Sequence, residues 1–211
     1  MPSPRFPDIA EPGSVVIGTR FADSAGVQRR AANTEADELD RARQPGGLTA
    51  VSWFLSPDGE TLLSCAQWSS DVAHDTYLRG SGFLPPLAGP PRYRLYRSSA
   101  DTTDARTPGC LITAAFDVDG PERQRSFTEA VIAAQSQDDS HPGAISAHFL
   151  HSIDGSRVLL YTEWTSIEAH QQAVAAGDHD TAHEIFAGTP GVRPTHGGRW
   201  QLQRSLRASR T

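Results

Sequence analysis

The chain has 211 residues, a net charge of −6 and 37% hydrophobic residues, enough for one large domain or two small ones that each bury a core. Its acidic balance, with no basic cluster interleaved with aromatics, excludes nucleic acid as a partner; no apolar run approaches the roughly 18 residues that a membrane span needs. All 19 basic residues are Arg, which excludes Schiff-base and P-loop lysine chemistry.

Residues 1–12 (MPSPRFPDIAEP) lack the apolar core of a signal peptide and read as a Pro-rich tail, so a cytoplasmic location is expected. The apolar run 15–21 predicts a strand. A helix follows over roughly 25–43, rich in Ala, Arg and Glu, and ends at a Pro-Gly turn. Two strands come next, joined at Pro57-Asp58-Gly59, a strong hairpin signal. A second helix starts near Ser70 and carries Ala73-His74. A last strand alternates Tyr93 and Leu95 with polar residues.

The same order then recurs. A strand is predicted over 110–118 and a helix from Pro121, whose apolar stripe is Phe127, Ala130, Val131 and Ala134. Pro142-Gly143 ends that region, and a hairpin turns at Asp154-Gly155. A helix near Ser166 carries Ala169-His170, and a last strand alternates Trp200 with Leu202. The letters repeat as well. DGETLLSCAQWSSDVAH (58–74) faces DGSRVLLYTEWTSIEAH (154–170), PGGLTA (45–50) matches PGAISA (142–147), VVIGTRF (15–21) matches CLITAAF (110–116), and RYRLYRS (92–98) matches RWQLQRS (199–205). The chain therefore reads as two tandem copies, 13–99 and 109–206, with a linker over 100–108 and a C-terminal tail over 207–211.

Each copy has the order β-α-β-β-α-β, the ferredoxin-like unit, which makes the fold class α+β. The hairpin strands are apolar on both faces, with Val158, Leu160 and Trp164 on one and Leu159 and Tyr161 on the other. Such strands need cover on both sides. The expectation is two antiparallel sheets packed face to face as an α+β barrel within one chain.

Several residues carry candidate chemistry. Cys65 and Cys110 lie in apolar runs with no CxxC, and read as buried free thiols. His179 and His183 form an HxxxH pair without the Glu of HExxH, in a polar segment, so no metal site is expected. Seven of the eight histidines fall in the second copy. His148 and His151, three apart in a strand, must point to opposite faces. The recurrent Arg92/Arg199 and Arg97/Arg204 are expected in surface or inter-unit ion pairs. Glu163 lies on the face opposite Trp164, where an Arg is its expected partner.

A ferredoxin-like unit with a Pro-Gly step, a hairpin and a Glu/Gln-Trp-x-Ser-x-x-Ala-His phrase resembles the antibiotic biosynthesis monooxygenase family. The resemblance covers both copies. It implies dimeric α+β barrel architecture and a pocket in each unit between sheet and helices. The Trp of the hairpin strand lines that pocket, and a polar residue six positions later reaches into it. Carried onto this chain, it assigns Trp164 and His170 as catalytic residues, and Trp68, His74, Leu160 and Phe149 as substrate-binding residues. Asparagines that several members carry near the Trp have no counterpart, since the positions read Ser64, Ala66, Leu160 and Thr162. That departure counts against a haem-degrading activity.

The implied function is a monooxygenase acting on a polycyclic aromatic polyketide, such as an anthrone, with molecular oxygen as cosubstrate and His170 as base. No cofactor is required. Reduced flavin taken up as a diffusible cosubstrate is a variant, because no Gly-rich dinucleotide fingerprint is present. A polyketide cyclase and a non-catalytic ligand-binding barrel are the rival readings. Homodimers of two-unit chains are compatible with all three.

Overall fold

The computed structural model of the chain describes residues 6–9, 13–42, 44–80, 91–100, 104–135, 141–177 and 180–207. The first half forms β1 (Ser14–Phe21), α1 (Ala25–Arg41), β2 (Leu48–Leu55), β3 (Thr61–Trp68), α2 (Asp71–Leu78) and β4 (Arg92–Ala100). The second half forms β5 (Cys110–Val118), α3 (Pro121–Gln135), β6 (Ala144–Ser152), β7 (Arg157–Trp164), α4 (Ile167–Ala176), α5 (Asp180–Gly188) and β8 (Val192–Arg207). The helix starts follow local chemistry. Ser70 and Ser166 cap α2 and α4 by accepting from the Ala73 and Ala169 N–H groups, and Pro121 stands first in α3. Among the described residues no helix is long and apolar enough to cross a membrane.

Two compact units result, Met1–Leu95 with Trp200–Thr211, and Tyr96–Arg199. The unit boundaries fall inside β4 and β8, whereas the sequence repeat assigns each of those strands whole to its own copy. Strand order is β4–β1–β3–β2–β8 in the first unit and β8–β5–β7–β6–β4 in the second. The α+β class and the ferredoxin-like order in each half are as expected. Helix α5 is an addition: its Ile185 and Phe186 pack on the second unit's core of Phe116, Val118, Phe127, Val131, Phe149, Val158 and Val192. The Phe186 ring centroid lies 4.5 Å from that of Phe116.

The register corrects two of the sequence matches. Ser14 pairs with Trp68 and Cys110 with Trp164, so the halves correspond at a constant offset of 96 residues up to the second helix. VVIGTRF and CLITAAF are thus one residue out. Phe21, 81% exposed, corresponds to Asp117, while Phe116, 3% exposed, corresponds to Arg20. A one-residue slip turns every side chain to the other face, which letter identity does not register. PGGLTA and PGAISA are one residue out in the opposite sense, because Gly47 corresponds to Gly143 and Pro45 to His141. A Cβ at Gly47 would lie 2.4 Å from Ala73 Cβ, and one at Gly143 2.6 Å from Ala169 Cβ. Close strand-to-helix approach fixes glycine at both positions.

A buried glutamine ties the first helix of each unit to its hairpin. Gln28 Nε2 donates to the carbonyls of Ser56 and Thr61 at 3.3 and 2.5 Å. Gln124 Nε2 donates to those of Ser152 and Arg157 at 3.0 and 2.8 Å. In the turns Ser56 and Ser152 donate to Asp58 and Asp154, and Gly59 and Gly155 take φ of +82° and +79°. These contacts fix the hairpin whose far end carries each Trp.

Candidate functional site

In the second unit β7 ends at Trp164, and the Ser166 cap starts α4 two residues later, so the first turn of α4 brings His170 over the indole. The ring centroids stand 5.0 Å apart at 88°. Trp164, Cys110, Ile167 and Ala173 form one buried cluster, with Ile112, Ala144 and Ala169 against it. Trp164 Nε1 donates to Thr162 Oγ1 at 3.0 Å, which fixes the indole in its plane. His141, just before the turn into β6, lies 5.7 Å from the same indole and accepts from the Gly143 N–H through Nδ1 at 3.0 Å.

Arg199 in β8 completes the arrangement. Its Nε donates to His170 Nδ1 at 3.4 Å. A guanidinium only donates, so His170 Nδ1 is an acceptor and its proton sits on Nε2. This places Arg199 behind the imidazole and corrects the expectation of a surface or inter-unit ion pair. An imidazole held in that tautomer offers an N–H rather than a lone pair, so the arrangement suits hydrogen-bond donation to an oxyanion better than the base role expected for His170.

The first unit repeats the geometry with other surroundings. Trp68 and His74 lie 5.1 Å apart, and Arg92 Nη1 is 3.3 Å from His74 Nδ1. Arg92 also reaches Asp75 at 2.6 Å and Asp71 at 3.8 Å. The positions matching Asp71 and Asp75 in the second unit are Ile167 and Gln171, which carry no charge. The positive end of the relay is offset by carboxylates in one unit, and those carboxylates are replaced by neutral side chains in the other.

The remaining candidates sort by position. Phe149 and Leu160 pair across β6 and β7 and belong to the core around Phe116 and Phe127, not to the cluster at Trp164. Arg97 and Arg204 form ion pairs with Glu129 at 3.2 Å and Asp37 at 3.1 Å, as expected. Glu163 accepts from Ser146 Oγ at 2.8 Å. His148 and His151 have different partners on opposite faces, Ser98 Oγ at 2.8 Å and Thr128 Oγ1 at 2.9 Å. His151 also stacks on Tyr96 at 4.2 Å, and burial pushes its pKa down to about 4. Cys65 and Cys110 are buried free thiols; burial raises them to about 12 and about 11, so neither is a thiolate at neutral pH. His179 and the side chain of His183 lie outside the described residues. Among the described residues no group of three or more His, Cys, Asp or Glu could hold a metal.

Residues 111–185, all within the second unit, match the family model for antibiotic biosynthesis monooxygenases. No curated protein matches the chain. Among solved structures the chain is similar to an anthrone oxidase-like protein at 16% identity, covering 96% of each chain with a TM-score of 0.73. It is similar to a monooxygenase-like protein from Listeria innocua at 14% identity, covering 89% of this chain and 92% of that one, TM-score 0.51. It is also similar to a major regulator of staphylococcal pathogenesis at 10% identity, covering 89% and 97%, TM-score 0.51. At these identities the likeness speaks for fold, and one fold hosts several functions. The family likeness of the chain, over residues 111–185, is to the antibiotic biosynthesis monooxygenases.

Proposed function

We propose that the chain is a monooxygenase that converts a flat phenolic substrate of the anthrone type to a quinone in its second unit. The observation that carries this is the Arg199–His170 relay beside Trp164, where an imidazole N–H backed by a cation meets an aromatic wall. Such a site favours a delocalised aromatic oxyanion, with the indole orienting the ring and excluding water.

The substrate binds as its enolate, its benzylic proton having passed to solvent. His170 Nε2–H donates to the enolate oxygen, and the Arg199 charge supports it. The enolate gives one electron to O2. The substrate radical and superoxide then recombine to a peroxide at the benzylic carbon. The peroxide takes a proton from solvent, the second benzylic C–H is lost, and the O–O bond breaks to leave a carbonyl and water. One CH2 and one O2 become one C=O and one H2O. The substrate supplies every electron, so the reaction is complete without flavin or metal.

An oxygen electrode tests this with anthrone and the full chain, with no reductant added. One O2 consumed per quinone formed is expected. No oxygen uptake above the rate without protein overturns it, and uptake only on addition of reduced flavin overturns the cofactor-independent form.

A further inference from the structure

The two Trp–His pairs share backbone geometry but differ in what surrounds them. The largest exchange is Tyr77 in α2, which corresponds to Ala173 in α4. The Tyr77 ring lies 5.2 Å from Trp68 at 37°, so Trp68 is covered by His74 and Tyr77 together; both indoles are buried, Trp68 at 1% and Trp164 at 5% exposure. Tyr77 packs against the first unit's core, which includes Leu48 and Trp53. The second unit has Ala144 in place of Leu48, Phe149 in place of Trp53 and only the Ala173 methyl in place of the phenol. The opposite exchanges are Val16 to Ile112, Ala66 to Thr162 and Pro45 to His141, whose ring lies 5.7 Å from Trp164 but belongs to the turn before β6 and not to the helix that carries His170.

Trp68 carries a second sign. Its Nε1–H is buried without a hydrogen-bond partner among the described residues, whereas Trp164 Nε1 donates to Thr162. Buried donors are normally satisfied. An indole N–H left in this state is one that a ligand oxygen would meet if the ring above it were absent.

We propose that Tyr77 closes the first unit's copy of the site, so that each chain takes one aromatic ligand, held in the second unit. This rests on the reading of the Trp164–His170 region as an aromatic-ligand site. It goes beyond that reading by naming the residue that makes the two copies unequal.

The test is calorimetric titration of the full chain with 1,8-dihydroxyanthraquinone, a flat phenolic quinone that is already oxidised. The wild-type chain binds one equivalent, Tyr77→Phe binds one, and Tyr77→Ala binds two. Ala173→Tyr weakens the remaining site by ~100-fold or more, since a phenol placed in a packed site has to displace the ligand or its walls. Two equivalents on the wild-type chain overturn the proposal and leave the site reading intact. So does a single equivalent on a Tyr77→Ala chain whose circular dichroism and melting match the wild type. If Tyr77→Ala fails to fold, undiminished binding by Ala173→Tyr overturns the proposal instead. No binding to the wild-type chain overturns the site reading and this proposal with it.

Discussion

Arg199 Nε stands 3.4 Å from His170 Nδ1, and the direction of that hydrogen bond sets the tautomer of the imidazole. Replacing Arg199 by Gln removes the cation and frees the ring to turn or change tautomer. The expected result is a loss of ~100-fold in kcat/KM for anthrone, the size seen when one oxyanion donor is removed. The pH–rate profile moves to higher pH, because the substrate anion is no longer favoured. A loss with an unmoved profile would mean that Arg199 is only structural.

Gln124 is buried and serves two backbone carbonyls of its hairpin. Gln124→Ala leaves both without that donor, at a cost of about 1–3 kcal/mol for a buried unsatisfied group. Urea denaturation should show a lower midpoint at an unchanged slope. An unchanged midpoint would mean that water replaces the amide.

His151 links stability to pH. Its folded pKa of about 4 lies below its ordinary 6.5, because burial disfavours the charged ring. Between these values the unfolded chain binds more protons, so the contribution is complete above pH 6.5 and is lost as pH falls towards 4. Discounted for the ring's partial exposure, the effect is about 1–2 kcal/mol. His151→Leu copies Leu55, the matching residue of the first unit. The fall in urea midpoint from pH 7 to pH 4.5 should shrink in that variant; an equal fall in both chains would contradict the assignment.

Gly143 holds β6 against α4. A Cβ there would sit 2.6 Å from Ala169 Cβ and 3.2 Å from His141 Nδ1. Gly143→Ala therefore pushes α4, and His170 with it, away from Trp164. A stability loss of about 1–3 kcal/mol is expected from the overpacking. The drop in anthrone turnover should exceed the fraction unfolded. Full activity per folded molecule would show that the helix position is not critical.

Much of the fold was legible because its signals are local. Asp58-Gly59 and Asp154-Gly155 announced the hairpins, Ser70 and Ser166 the helix starts, and the repeated Trp–His phrase the strand-to-helix joint. Register was less legible. The shared letters at Phe21 and Phe116 drew the halves one residue out, because identity says nothing about which face a strand residue occupies. The opposite slip, at PGGLTA and PGAISA, hid the match of His141 to Pro45, and so the second histidine at Trp164. In the sequence Arg199 is a repeat of Arg92 with no sign that pairs it with His170. The two lie 29 residues apart, and only the folded sheet brings them together. Tyr77 and Ala173 lie beyond the matched blocks, and the weight of that exchange depends on the packing around Trp68.

On this proposal the second unit does the chemistry and the first does not. Oxygen uptake with anthrone, measured side by side for the wild-type, His170→Ala and His74→Ala chains, tests it most directly. A fall of ~100-fold or more is expected for His170→Ala and, with the first copy closed by Tyr77, a change within about twofold for His74→Ala. Equal losses, or undiminished uptake by His170→Ala, would contradict it.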